Sequence, residues 1–138
     1  MDSLVKDHWA AEAGALFDNG FHCAEAVAWA VLSGLGLDPA EAAAHATAFG
    51  GGLGRSFDEL CGALAGGVVA VGHVHGRREP TGGWDMAADM AAELRRGFVD
   101  AHGTTHCGAL RQRFGEDQIS ECRALVRWTT AALLDLLG

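Results

Sequence analysis

Cys61 to His75 reads CGALAGGVVAVGHVH, and its interior Val68-Val69-Ala70-Val71 is the one run in the chain with strand-like β-branched character. The residues around that run argue for a helix. Gly62, Ala63, Ala65, Gly66, Gly67, Ala70 and Gly72 are all small, and no polar residue alternates with the valines as a half-buried strand requires. A helix over about 59–74 is therefore expected. Each of its glycines costs about 1 kcal/mol against Ala, so something must approach the backbone closely enough to offset that. The weakly polar stretch is 15 residues long with four Gly, short of the roughly 20 that a membrane span needs.

Helical punctuation surrounds this segment. Helices are expected over about 3–18, ended by Asn19-Gly20, and over about 22–35, ended by Gly36. Val5, Trp9, Leu16 and Phe17 form the buried side of the first. Cys23, Ala26, Val27, Ala30, Val31 and Leu35 form the stripe of the second. Asp38-Pro39 opens a third helix that reaches about Phe49. Later helices are expected over 84–101, 106–114 and 118–137, with Cys122 on the buried face of the last. The expected fold is all-α, a single compact bundle of about five longer helices plus one or two short ones, in one domain spanning residues 1–138.

Composition narrows the function. The 138 residues carry a formal charge of −8 with a single Lys, against nucleic-acid binding and against a polybasic membrane anchor. Apolar residues make up 49% of the chain, enough for a core. The first residues, Met1 to His8, lack a cationic segment followed by an apolar run, so a cytoplasmic protein is expected.

The four cysteines, Cys23, Cys61, Cys107 and Cys122, are 38, 46 and 15 residues apart, with no CxxC pair. In a reducing compartment they are core fillers, metal ligands or redox groups. Each falls near an expected helix N-terminus, where free N–H groups and the helix dipole favour an anion such as a thiolate and depress a thiol pKa. Gly50-Gly51-Gly52-Leu53-Gly54-Arg55 lacks both GxxxxGK[ST] and GxGxxG. The amides of Gly51, Gly52 and Gly54 are expected to form a concave nest for an anion, facing the cysteines, with Arg55 as a charge partner. His22 and His106 each precede a cysteine and are expected to hydrogen-bond around the site rather than ligate. His8, His45, His73, His75 and His102 are expected at the surface.

From about Phe17 to Leu137 the chain resembles the C_GCAxxG_C_C family of redox-active proteins. The carrying pieces are Asn19 to Val27 (NGFHCAEAV), Ala48 to Arg55 (AFGGGLGR) and Cys61 to Gly67 (CGALAGG), with Cys107 and Cys122 beyond them. Leu60 precedes Cys61 where the literal motif has Gly, and His22 and His106 stand where the family pattern has Asn. The resemblance implies a helical protein whose cysteines bind a metal centre or do redox chemistry. The family's relation to split-Soret-type cytochromes makes an iron–sulfur cluster the leading cofactor. The expected function is thus electron transfer or redox sensing at a metal centre ligated by Cys23, Cys61, Cys107 and Cys122, serving a redox partner protein, with a homodimer as the candidate assembly. Two alternatives are a metal-free thiol–disulfide enzyme with Cys23 or Cys61 as nucleophile, and a structural zinc or interaction module.

Overall fold

The computed structural model describes residues 1–138, and the Ala-rich segments without strand alternation form seven α-helices in it. They are α1 (Ser3–Asp18), α2 (Cys23–Gly34), α3 (Ala40–Ala46), α4 (Gly62–His75), α5 (Asp85–His102), α6 (Cys107–Phe114) and α7 (Gln118–Leu137). Single 3₁₀ turns at Thr47–Phe49 and Gly115–Asp117 extend α3 and lead into α7. Five helices are long and two are short, as the residue pattern implies. No helix is long and apolar enough to cross a membrane.

Local chemistry sets the ends. The Asp2 carboxylate accepts from the Leu4 N–H at 2.7 Å and starts α1. Asp38 accepts from the Ala40 N–H at 3.0 Å and starts α3. Gly103, at φ 85°, closes α5 in the left-handed conformation that favours glycine.

The central helix is α2, which packs against α1, α3, α4 and α7. It is therefore buried on more than one stripe: Ala24, Ala28 and Leu32 are sealed along with Ala26, Val27, Ala30 and Val31. The glycines of α4 allow the close crossing. A Cβ on Gly66 would run into the backbone of Ala24, and one on Gly67 would lie 2.7 Å from Leu133 Cδ1 and 3.0 Å from Leu94 Cδ2. On α7 the buried hydroxyls of Thr129 and Thr130 donate to the carbonyls of Leu125 and Val126, so neither is left unpaired.

Two expectations change. The fourth helix begins at Gly62, not near 59, because the preceding backbone is used elsewhere. Cys61 N–H donates to Thr105 O at 2.7 Å and Cys107 N–H to Glu59 O at 2.8 Å, an isolated antiparallel bridge around Leu60 and His106. Val5 is 43% exposed; Trp9, Leu16 and Phe17 pack against the core as expected, and Ala10, Ala13 and Gly14 are buried beside them.

Candidate functional site

Three cysteines stand at helix starts. Cys23 is the first residue of α2, Cys107 the first of α6, and Cys61 lies directly before α4. Cys122, half-buried, is one turn into α7. The bridge between residues 59–61 and 105–107 sets Cys61 beside Cys107 although 46 residues separate them. A Cβ on Gly62 would collide with Cys23 Sγ, so that sulfur lies against the first turn of α4. Cys23, Cys107 and Cys122, with Gly51, Phe57 and Arg111, line a cavity of about 200 Å³. Cys61 sits apart from that lining at 6% exposure. All four thiols are free.

Electrostatics tie the four together, with Cys23 as the common neighbour. Burial pushes the Cys61 thiol up to about 12; the charge of Cys23 adds to this, the amides of Leu64 and Ala63 oppose it, and Cys107 adds a little more. Burial, then Cys23 and Cys107, pushes Cys122 up to about 11, against the Arg111 guanidinium. Cys107 is raised by burial and by Cys23, again against Arg111. The expected lowering by helix N-termini is thus overturned for these three: desolvation and mutual repulsion exceed the dipole.

Raised thiol pKa values have a consequence for stability. A group whose pKa rises on folding contributes stability below its unfolded value and loses it as pH climbs through the folded one. The ordinary value here is 9.0, and Cys122 and Cys61 stand at about 11 and 12. The ligand-free protein should hold its urea midpoint up to about pH 9 and lose stability progressively toward pH 12. Cys122→Ser should flatten part of that fall. An unchanged alkaline limb in the variant would show that Cys122 is not in the raised set.

The glycine-rich segment is a left-handed turn. Gly51, Gly52, Leu53, Gly54 and Arg55 all have φ between 60° and 71°. Leu53 and Arg55 hold this conformation at a cost of roughly 1–2 kcal/mol each. The turn is closed by Gly54 N–H to Ala48 O (2.8 Å), Arg55 N–H to Gly50 O (3.2 Å) and Phe57 N–H to Gly51 O (2.9 Å). Gly54 N–H is thereby committed away from the thiols. Arg55 lines a different cavity with His22 and Thr47. Gly51 and Gly52 remain. Their N–H groups have no acceptor within the protein, and Gly52 is packed so tightly on Cys107 that a Cβ would lie 2.6 Å from its Cβ and 3.1 Å from its Sγ.

The cation beside the thiols is Arg111. Its guanidinium lies 3.7 Å above the Phe57 ring, and its Nε and Nη2 donate to Gln118 Oε1 at 3.0 and 2.7 Å. The sequence did carry a signal: Arg111 is one helical turn after Cys107, on the same face.

Both site-flanking histidines are used locally. His22 N–H donates to Glu25 Oε1 at 3.0 Å, and the His22 ring Nδ1 lies 3.2 Å from the same oxygen. His106 Nδ1 accepts from Ala109 N–H at 3.0 Å, capping α6, which leaves Nε2–H to donate to Asp58 at 3.1 Å. Removing a cap costs about 1 kcal/mol. His106→Ala should therefore lower the folding stability read from urea denaturation by about that much, and His106→Asn should recover most of it. Loss of thiol reactivity rather than stability would give His106 a chemical role instead.

His8 and His45 are exposed, while His73 and His75 are half-buried at the end of α4. His102, expected at the surface, is instead half-buried. Its ring packs edge-on to Phe98 and Trp128, its Nε2 is buried without a partner, and burial lowers its pKa, with Arg113 adding to the effect. The last turn of α5 lies over α7, which brings these rings together.

No three His, Cys, Asp or Glu side chains are arranged to close around a single metal ion. Among comparisons with known proteins, a family model described as "Putative redox-active protein (C_GCAxxG_C_C)" matches residues 21–136. No curated protein and no solved structure gives a match. The matched span contains all four cysteines, the left-handed glycine turn and the Gly62 contact on Cys23. The chain belongs to the C_GCAxxG_C_C family of redox-active proteins.

Proposed function

We propose that this redox-family protein holds an iron–sulfur cluster on Cys23, Cys61, Cys107 and Cys122 and serves in electron transfer or redox sensing. The observation that carries the reading is that Cys23, Cys107 and Cys122 line one cavity while the charge of Cys23 raises Cys61, Cys107 and Cys122 alike. Two glycines clear the space beside the sulfurs of Cys23 and Cys107. An all-thiolate donor set suits iron–sulfur ligation. The cavity of about 200 Å³ beside Cys23, Cys107 and Cys122 leaves room for a group larger than a single ion. When bound, the cluster supplies a one-electron redox step.

The chain's own residues have definable tasks around it. The thiols must lose their protons on ligation, so loading releases protons and weakens as pH falls. Arg111 offsets part of the resulting negative charge. The N–H groups of Gly51 and Gly52 have no acceptor within the protein and would be available to a bound cluster's sulfur, where such hydrogen bonds favour the more reduced state. Phe57 and Ile119 add apolar surface at the cavity. In the thiol–disulfide alternative Cys61 is disfavoured as the nucleophile, since a thiol at about 12 is a poor nucleophile at neutral pH.

Anaerobic reconstitution with ferrous iron and sulfide tests this. The native chain should develop visible absorbance, and Cys61→Ser and Cys23→Ser should lose most of it. Four single Ser variants that all load like the native chain would contradict the reading.

A further inference from the structure

One side of α3, the end of α4 and the loop after α4 border a second, open concavity of about 570 Å³, lined by none of the cysteines. Its walls include His45, His73, Arg77 and Arg78, with Phe49 and Glu41. Two arginines thus stand together in a chain of net charge −8. Neither arginine is paired with a carboxylate. Arg77 Nη1 donates to Pro80 O and Gly82 O, both at 3.2 Å, which fixes the loop and holds the guanidinium in place. Arg78 makes one long hydrogen bond, 3.5 Å to Gly76 O, so most of its donors are uncommitted. The single acid, Glu41, faces His45 at 4.0 Å. Phe49 is 37% exposed and offers an aromatic surface beside the cations.

We propose that this concavity binds a small phosphate-bearing ligand. Two adjacent guanidiniums present planar forks of donors that match phosphate oxygens, and the imidazoles of His45 and His73 add further donors. The volume falls within the range of small-molecule sites and the surface is concave, which favours a small ligand over a flat acidic partner. The site is separate from the four thiols, so it stands or falls independently of the cluster.

Titration calorimetry of the native chain with pyrophosphate, adenosine diphosphate and adenosine tests it. Adenosine should not bind, because the recognition is of the phosphates. Binding of adenosine diphosphate more tightly than pyrophosphate would assign the ligand as an organic phosphate seated on Phe49. Equal binding of the two would assign recognition to the diphosphate alone. Arg78→Gln should weaken either probe roughly tenfold with no change in melting temperature, since charge-assisted hydrogen bonds are lost and the loop remains tied by Arg77. His73→Gln should weaken it less. No binding of either phosphate compound at millimolar concentration would overturn the proposal, as would an Arg78→Gln variant that binds like the native chain.

Discussion

Gly66→Ala is expected to cost roughly 3 kcal/mol of folding stability or more, the upper range for overpacking a close-packed interior. Gly72→Ala, on the same helix, is expected to raise stability by up to about 1 kcal/mol. The two differ in what a methyl group would meet. At Gly66 it would run into the carbonyl oxygen and backbone carbons of Ala24 on α2, which cannot rotate away; at Gly72 nothing lies within 4 Å. The only route to relief at Gly66 is to push α4 off α2, the most enclosed helix of the bundle. Urea denaturation of both variants checks this. Equal effects would mean that α2 and α4 are not in such close apposition.

Gly52→Ala is expected to abolish cofactor loading, while Gly54→Ala leaves it intact. Both residues are left-handed, at φ 63° and 60°, so both variants carry the same backbone cost of roughly 1–2 kcal/mol. Only at Gly52 does the added carbon press on Cys107; at Gly54 it meets nothing within 4 Å. The pair therefore separates stability from site geometry. Iron content after anaerobic reconstitution is the readout, with urea midpoints as the control. Equal loss of iron in both variants would reduce the segment to a strained turn with no specific relation to the thiols.

The helices were legible because their ends are written locally. Asn19-Gly20, Gly36, Asp38-Pro39, Gly103 and Gly115 punctuate the chain, and the observed boundaries follow them. Where a boundary moved, at the start of α4, the cause was distant: residues 59–61 bond to residues 105–107. The same long-range bridge sets Cys61 beside Cys107, which no spacing rule reveals. The positions of the cysteines at helix starts could be read, but the direction of their pKa shifts could not, because burial by other helices outweighs the local dipole. Glycine content gave the left-handed turn at Gly51, Gly52 and Gly54, yet Leu53 and Arg55 share the conformation with no signal in their identity. Arg55 and Arg111 show the remaining limit. Both are arginines near a motif, and only the packed structure sets Arg111, over Phe57, at the thiol cavity.

Whether these four thiols hold an iron–sulfur cluster is tested by the iron and acid-labile sulfide content of the native chain purified without oxygen. A brown protein containing both iron and sulfide is the result predicted. Colourless protein carrying one equivalent of zinc, or metal-free protein with four titratable thiols that takes up no iron on reconstitution, would contradict it.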